Sequence, residues 1–222
     1  MIPHGLIIDR IQKLAVDIIN AYDLRESGIR ITMLCILKGG HQFFSDLCNV
    51  LKQLTLTKCK QPPLTFDFIR VKSYAGTESS GAENTKIESI GVDLKALAGR
   101  HVLLVEDIID TGNTMSMLVP YLKSFGPTTV RVATLLQKRT PKSCGFMGDF
   151  VGFTIPDKVR VALRPGSPAP RGSHRTDQTS CPRAAALQFV VGYCLDYNEV
   201  FRDMAHICIM NPSGIKRHAN AK

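Results

Sequence analysis

The sequence predicts an α/β fold with a mainly parallel, twisted sheet flanked by helices, and two observations support this prediction. Short apolar runs typical of buried strands alternate with stretches in which apolar residues recur every three or four positions. The chain has 222 residues, of which 44% are hydrophobic and 21% charged, close to the globular average. This composition excludes wholesale disorder, collagen and a membrane bundle. No apolar run reaches the roughly 18 residues that a membrane helix needs.

The predicted strands and helices alternate along the chain. Apolar runs predict strands at residues 31–37, 64–71, 101–105, 130–136 and 150–153. Helical spacing covers residues 11–19 and 43–54, and a third helix is expected to open at Thr114 and to be kinked or shortened by Pro120. Parallel sheets bind ligands at the carboxyl ends of their strands. Functional residues are therefore expected just after Leu37, Val105 and Leu136.

Cysteine content predicts a cytoplasmic protein, and the net charge is compatible with an anionic partner. The seven cysteines form an odd number and contain no C-x-x-C pair, which predicts reduced thiols rather than a disulfide framework or a zinc site. The first residues lack a basic region followed by an apolar stretch, so no signal peptide is expected. Of the net charge of +9, residues 159–188 contribute +4. The remaining charge suits anionic small molecules about as well as a polyanion, and we expect neither nucleic acid nor membrane as a partner.

Residues 159–188 differ in composition from the rest of the chain. Sixteen of these thirty residues are Pro, Gly, Ser, Thr or Arg, which predicts a disordered basic insert. An RNA-binding or localisation patch is the alternative interpretation. Thirty residues correspond to ninety nucleotides, every valine codon begins with GT, and one glutamine codon ends with AG. We therefore hypothesise that the segment from Val159 to Gln188 is a translated intron.

A second polar stretch, residues 73–86, contains glycines and has no periodicity. It predicts a long mobile loop that follows a strand. Loops of this length without secondary structure are either functional lids or plain disordered connections, and the sequence leaves both readings open.

The stretch from Val102 to Thr114 carries the clearest chemical signal. An apolar strand leads into the adjacent carboxylates Glu106 and Asp107, and Asp110-Thr-Gly-Asn-Thr114 then opens a helix. Loop amides and a helix N-terminus that converge on one point favour a phosphate. Carboxylates repel phosphate, so the two acids need sugar hydroxyls or a divalent cation as partners. Together they predict a site for a phosphorylated sugar.

The structural alternative is an acidic N-cap at an ordinary turn between strand and helix, with Asp110 or Thr111 as the cap. Three acids within five residues would repel one another without a cation or hydroxyl groups, which favours the functional interpretation. The sequence contains neither G-x-x-x-x-G-K-[ST] nor G-x-G-x-x-G, so a P-loop or dinucleotide site is not supported.

This stretch resembles the phosphoribosyl diphosphate (PRPP) motif of type I phosphoribosyltransferases. Further segments resemble the hypoxanthine-guanine phosphoribosyltransferase family, namely residues 2–6, 37–40, 67–74, 138–141, 149–158, 189–199 and 201–203. The resemblance implies the type I phosphoribosyltransferase fold and a role in purine salvage. The implied reaction moves 5-phosphoribose from PRPP to N9 of hypoxanthine or guanine, giving IMP or GMP and pyrophosphate with Mg²⁺ as cofactor. It also implies a homodimer or homotetramer.

The resemblance also assigns roles to individual residues. Asp110 is the implied general base near purine N7, and Glu106 and Asp107 hold the ribose hydroxyls. The 5-phosphate is assigned to the backbone and hydroxyls of Asp110, Thr111, Gly112, Asn113 and Thr114, and Ile108 and Ile109 are assigned to the PRPP and nucleotide site. Pyrophosphate is assigned to Lys38, Gly39 and Arg202, with an unusual peptide geometry at Lys38. The implied purine contacts are Lys138, Lys158, Phe189, Val190 and Asp196, and Ser73 and Tyr74 lie on the lid. The metal is assigned to Asp196, Glu106 and Asp107.

The sequence departs from the family pattern in three places. Asn113 stands where the family usually has a basic residue, which we expect to weaken phosphate binding modestly. The insert separates Lys158 from Phe189, which are neighbours in the family, and so divides the enzyme domain into residues 1–158 and 189–222. The small hood over the purine, formed partly by residues 1–10 and 196–222, is expected to be truncated. These departures leave a catalytically impaired PRPP- or nucleotide-binding relative as the alternative function.

Overall fold

A six-stranded sheet forms the centre of the protein. The computed structural model describes residues 1–24, 29–56, 64–74, 84–90, 93–157 and 189–219. The strands are β1 (Ile31–Leu37), β2 (Leu64–Tyr74), β3 (Asn84–Ile90), β4 (His101–Ile109), β5 (Thr129–Arg139) and β6 (Phe150–Pro156). Their spatial order is β3-β2-β1-β4-β5-β6, and every pair is parallel except β2 with the edge strand β3. The predicted mainly parallel α/β fold is confirmed.

Helices cover both faces of the sheet, which explains the continuous apolar runs in its central strands. Helices α1 (His4–Tyr22) and α2 (His41–Leu56) pack with one face into a core that includes Ile11 and Phe43. Helix α3 (Asn113–Lys123) and the short 3₁₀ turn Leu94–Leu97 cover the other face. No helix within the described ranges combines the length and apolar character needed to span a membrane.

The structure differs from the expectations for two elements. Helix α3 begins at Asn113, one residue before the predicted start, and continues for three residues beyond Pro120, so Pro120 does not end it. The prediction of a loop over the whole polar stretch 73–86 is wrong, because β2 extends to Tyr74 and β3 begins at Asn84, where the two residues pair. An edge strand is stabilised by backbone pairing with its single neighbour and does not need an apolar period. Residues 75–83 lie outside the described residues, so the choice between lid and plain connection stays open.

The chain after the insert folds over the carboxyl edge of the sheet. This C-terminal segment, residues 189–219, contains the short antiparallel strands β7 (Val190–Val191) and β8 (Cys208–Ile209) and helix α4 (Pro212–His218). Ile2 joins it through a bridge to Ile207. The insert and Lys158 lie outside the described residues, so its disorder, its origin and the division of the enzyme domain stay predictions.

Two tight turns shape the C-terminal segment. In each turn, two consecutive residues have a positive φ, namely Tyr193 with Cys194 and Asn198 with Glu199. Mutual backbone hydrogen bonds close both turns, between Gly192 and Leu195 and between Tyr197 and Val200. This is the geometry of two-residue hairpin turns, whose twist matches that of the flanking chain. The turns bring the polar residues of the segment towards the main sheet.

We expect Gly192→Ala to destabilise the protein far more than Gly99→Ala. Both glycines have a positive φ, of 96° and 72°, but a Cβ at Gly192 would lie 2.0 Å from the His206 carbonyl oxygen, whereas Gly99 faces open space. The left-handed conformation alone costs about 1–2 kcal/mol, and overpacking adds about 1–3 kcal/mol at Gly192. Thermal or urea unfolding measures the difference, and equal losses of stability would contradict this account.

Candidate active site

A cavity of about 530 Å³ opens at the carboxyl edge of the sheet, beneath the C-terminal segment. We call it the main cavity. Its lining is contributed by the ends of four elements and by the C-terminal segment: Leu37, Lys38, Gly39, Arg70, Val71, Asp107, Ile108, Asp110, Lys138, Phe189, Val190, Leu195, Asp196, Glu199 and Arg202. Strands β1, β4 and β5 therefore meet at one site, as the rule for parallel sheets predicts.

The strands reach further into this site than their apolar runs predict. Strand β4 continues to Ile109 and β5 to Arg139, so Glu106, Asp107 and Lys138 lie within strands rather than after them. Polar side chains end the apolar pattern while backbone pairing continues, for example between Ile109 and Gln137. The regular backbone holds these polar side chains in fixed directions.

Glu106 and Asp107, which we call the acid pair, are both only 9% exposed. Each accepts a hydrogen bond from the following backbone amide, at 3.1 Å for Glu106 and 2.7 Å for Asp107. Burial and then the neighbouring Asp107 carboxylate raise the pKa of Glu106 well above its usual range. Two buried acids side by side require a proton, a cation or hydroxyl donors between them. The pair therefore has the chemistry expected for ribose hydroxyls or a divalent cation.

The loop between β4 and α3 encloses a second, smaller cavity of about 110 Å³. Its lining residues are Glu106, Ile108, Ile109, Asp110, Thr111, Gly112, Thr114 and Met115. The acidic N-cap predicted as the structural alternative is wrong, because Gly112 is the N-cap of α3 and no side chain caps the helix. Thr111 Oγ1 instead accepts a long hydrogen bond of 3.4 Å from the Asn113 amide.

Gly112 is required at the start of α3 for two reasons. Its φ is 87°, and a Cβ there would lie 2.9 Å from both Cys144 Sγ and Phe146 Cβ. The open N-terminus leaves first-turn amides without partners within the helix. Amides in this position attract anions, so the loop fits a phosphate group at the small cavity. Asn113 and Thr114 are exposed at the same helix end.

Lys38 and Gly39 connect β1 to α2 and close one side of the main cavity. The Leu37–Lys38 peptide bond is cis, which agrees with the unusual geometry implied by the family resemblance. Gly39 packs directly on the acid pair, since a Cβ at this position would lie 1.7 Å from Asp107 Oδ2. The loop that carries Lys38 thus depends on the absence of a side chain beside Asp107.

Lys138 lies between two carboxylates on the opposite side of the cavity. Its Nζ is 3.1 Å from Asp110 Oδ1 and 3.4 Å from Asp157 Oδ1, and its side chain is 15% exposed. The Thr140 hydroxyl donates to Asp157 Oδ2 at 3.2 Å. The implied base Asp110 and the implied purine contact Lys138 therefore form an ion pair, and both residues line the cavity. A planar ligand placed against this pair would meet an acceptor and a donor side by side.

The purine side is formed by the start of the C-terminal segment. Phe189 and Val190 line the cavity, and the Phe189 ring lies 4.5 Å from the Tyr197 ring. Asp196 contacts Arg202 Nη2 at 2.8 Å and accepts a hydrogen bond of 2.7 Å from the Glu199 amide. The side chains of Ser73 and Tyr74, like Lys158, lie outside the described part of the chain.

The main cavity is lined by equal numbers of positive and negative side chains. The basic residues are Lys38, Arg70, Lys138 and Arg202, and the acidic ones are Asp107, Asp110, Asp196 and Glu199. Within the described ranges, no three acidic, histidine or cysteine side chains are grouped closely enough to hold a metal. Mg²⁺ usually binds one or two carboxylates together with substrate phosphates and water. The acid pair and Asp196 fit that pattern, with a substrate supplying the remaining oxygens.

Sequence reasoning missed two charged residues that line the main cavity and one that holds Lys138 from outside it. Arg70 lies on β2 and pairs in register with Leu37, the last residue of β1. The rule that predicts functional residues just after Leu37 could therefore also have identified Arg70. Asp157 follows β6 and was not singled out, although it holds Lys138. Glu199 contacts both Lys38 and Arg202, and only the tight turn at Asn198–Glu199 brings it there.

A buried tyrosine anchors the C-terminal segment to α2. The hydroxyl of Tyr193, which is 3% exposed, donates to Asp46 Oδ2, and Gln42 Nε2 donates to the same oxygen. Burial and then this hydrogen bond raise the pKa of Tyr193. Helix α2 starts directly after the Lys38 loop, so the contact ties the two sides of the cavity entrance together. It explains why a tyrosine with positive φ is tolerated here.

Comparisons with known proteins agree with this geometry. The model of the phosphoribosyl transferase domain matches residues 3–166. The hypoxanthine-guanine phosphoribosyltransferases of Pan troglodytes and Homo sapiens are 44% and 43% identical over 213 residues, covering 96% of this chain and 81% of each relative. The chain belongs to the hypoxanthine-guanine phosphoribosyltransferase family. The family assignment made from the sequence motifs is thereby confirmed.

Solved structures place this family's fold on nearly the whole chain. The hypoxanthine-guanine phosphoribosyltransferase of Schistosoma mansoni in complex with IMP matches with a TM-score of 0.67 and 32% identity, over 98% of this chain and 83% of that one. The hypoxanthine phosphoribosyl transferase of Trypanosoma cruzi shares the fold with a TM-score of 0.72 at 24% identity, over 100% of this chain and 95% of that one. The predicted type I phosphoribosyltransferase fold is therefore confirmed.

We expect Glu106→Gln to raise stability at neutral pH. Folding raises the pKa of Glu106, so the wild type loses stability as the pH rises above the ordinary value of 4.5, where the unfolded chain releases this proton more readily. The glutamine of the variant does not ionise, so this loss of stability with rising pH does not occur. A gain of about 1 kcal/mol corresponds to a rise in Tm of about 2–4 °C at pH 7.5. Thermal melts at pH 4 and pH 7.5 measure it, and a gain of equal size at both values would contradict the explanation.

We expect Gly39→Ala to lower kcat/KM for PRPP by about 100-fold, because the added Cβ displaces the Asp107 carboxylate by roughly 1 Å or more. The clash is with the end of a side chain, so the fold should survive. Gly5→Ala is the matched control, since a Cβ at Gly5 has nothing within 4 Å. Steady-state kinetics with circular dichroism distinguish the two, and equal kcat/KM values in both variants would refute the dependence on Gly39.

Proposed function

We propose that this chain transfers 5-phosphoribose from PRPP to N9 of hypoxanthine or guanine, giving IMP or GMP and pyrophosphate. One observation carries this proposal. The main cavity is lined by Asp107, the cations Lys38, Arg202 and Lys138, and Phe189, and it shares Ile108 and Asp110 with the small cavity, which Glu106 and the 110–114 loop line. These groups match the phosphate, ribose, leaving group and base of the reactants. The named relatives and the Schistosoma mansoni complex with IMP support the same substrates.

PRPP fits this arrangement from its phosphate end inwards. The small cavity at the N-terminus of α3 takes the 5-phosphate, and the acid pair accepts hydrogen bonds from the ribose hydroxyls. The pyrophosphate then lies towards Lys38, Arg70 and Arg202. As the C1–O bond breaks, its electron pair leaves with the pyrophosphate, and these three cations stabilise the growing negative charge.

The purine fits on the opposite side of C1. Lys138 donates to its 6-oxo group, the Asp110 carboxylate faces N7, and Phe189 packs on the ring. N9 forms the new bond to C1, and Asp110 takes up the proton that the purine loses. A 6-amino group would place donors against the Lys138 ammonium, so the site favours 6-oxopurines over adenine.

Mg²⁺ is the cofactor that these residues support. Asp107 and Glu106 would hold it near the ribose hydroxyls and Asp196 near the pyrophosphate, where it would neutralise anionic oxygens. The equal numbers of acidic and basic side chains in the main cavity support this assignment. A cavity without net positive charge needs a cation to bind a polyanionic substrate.

Assembly and location are further parts of the proposal. A homodimer or homotetramer stays a prediction from the family resemblance. A cytoplasmic location stays a prediction from the odd number of cysteines and the absence of a C-x-x-C pair in the sequence. The impaired alternative is favoured by no observation on the described residues, which retain the acid pair, Asp110 and Lys138 in one site.

IMP formation from hypoxanthine, PRPP and Mg²⁺ tests the proposal directly. We expect the full chain to be a weak enzyme and a form lacking residues 159–188 to be more active, because the deletion rejoins Lys158 to Phe189. Inactivity of both forms would contradict the enzyme assignment for this chain.

We expect Asp110→Asn to lower kcat by about 10²–10⁴-fold, as for loss of a general base, with a smaller effect on IMP binding. Asp157→Asn is the matched control, because Asp157 also pairs with Lys138 but does not line the main cavity. Kinetics and fluorescence or calorimetric titration with IMP provide the two readouts. Equal losses of turnover and binding in Asp110→Asn would refute its role as base.

A further inference from the structure

The carboxylate of Glu199 bridges two cations that the proposed function assigns to pyrophosphate. Its Oε1 lies 3.2 Å from Lys38 Nζ, and its Oε2 lies 3.4 Å from Arg202 Nη2. Lys38 belongs to the loop after β1, whereas Arg202 belongs to the C-terminal segment. Each oxygen thus contacts a different side of the cavity entrance, as two oxygens of a bound diphosphate would.

Hydrogen bonds hold the backbone around Glu199 in place, whereas its exposed side chain is held, among the described residues, only by the two ion pairs. Asn198 and Glu199 form the tight turn with φ values of 51° and 66°. Asn198 Nδ2 donates to the His218 and Ala219 carbonyls, and the Glu199 amide donates to Asp196. The Glu199 side chain is 65% exposed. Exposed ion pairs contribute little to stability, so an incoming anion can displace this carboxylate.

We propose that Glu199 is an internal occupant of the diphosphate subsite, which competes with the pyrophosphate group of PRPP and with product pyrophosphate for Lys38 and Arg202. This inference rests on the proposed function, because it takes the assignment of Lys38 and Arg202 from it.

Competition of this kind has a defined consequence for turnover. When pyrophosphate is bound, the Glu199 carboxylate loses its two cationic partners and lies near a second anion. Both effects weaken diphosphate binding and favour its departure after the reaction. The opposite role is a positioning residue that holds Lys38 and Arg202 ready for diphosphate. The two roles predict opposite signs for the effect of removing the charge.

Calorimetric titration of the full chain with magnesium pyrophosphate separates these roles. We expect Glu199→Gln to bind pyrophosphate about three- to fivefold more tightly than the wild type, because the carboxylate that competes for Lys38 and Arg202 is removed. Asp17→Asn is the matched control for net charge, because Asp17 pairs with Lys13 on the exposed face of α1 and does not line the main cavity. Its affinity should equal that of the wild type.

Weaker or unchanged pyrophosphate binding in Glu199→Gln would overturn the inference, and circular dichroism checks that the variant is folded. Product inhibition gives an independent readout, in which Ki for pyrophosphate should fall by the same factor. If the wild type forms IMP and binds pyrophosphate but the variant does not bind it more tightly, only the role of Glu199 fails. If the wild type neither forms IMP nor binds pyrophosphate, the proposed function fails as well.

Discussion

The site depends on one unfavourable interaction, the burial of two adjacent carboxyl groups at the end of a central strand. Glu106 and Asp107 are held there by backbone pairing of β4 with β5 and by the apolar core on both faces of the sheet. Core burial keeps water from screening the two acids, so the repulsion between them persists until a proton, hydroxyl groups or a cation intervenes. A substrate that supplies such groups therefore gains binding energy from a pair that destabilises the empty protein. The same constraint requires a glycine at position 39, because any side chain at Gly39 would take the space of the Asp107 carboxylate.

Several of the remaining charges of the main cavity have charged partners. Asp110, together with Asp157 outside the cavity, holds Lys138, while Asp196 and Glu199 hold Arg202. Such pairing lowers the cost of keeping many charged groups in a partly buried cleft. It also means that an anionic substrate must exchange one set of ion pairs for another. The arrangement suits reversible binding of a highly charged molecule better than permanent binding. A strained turn in the C-terminal segment supplies one of these partners, Glu199, and the contact of Tyr193 with Asp46 keeps the segment over the sheet.

The family, the fold and most residues of the site were predictable from the sequence, because the PRPP motif is local. Its strand, acids, glycine and helix start lie within thirteen residues, from Val102 to Thr114, and each has a distinct residue type. Strand ends were less predictable, because Glu106, Asp107 and Lys138 continue strands whose apolar pattern has already stopped. The pairing of Tyr74 with Asn84 was missed for a similar reason, since edge strands need no apolar period. Arg70 and Glu199 were missed because they belong to no local pattern and reach the cavity from distant parts of the chain.

The sequence by itself determined the chemistry: which acids, amides and cations are available, and that they belong to an α/β enzyme of the hypoxanthine-guanine phosphoribosyltransferase family. Local spacing and residue type suffice to assign these groups and the family, because both can be read directly from the sequence. Only the tertiary structure decided which charges contact one another. Lys38 and Glu199 are 161 positions apart, and their meeting depends on the direction in which a strained turn projects from a packed segment. Such a direction follows from the summed packing of the whole domain, which no short stretch of sequence encodes.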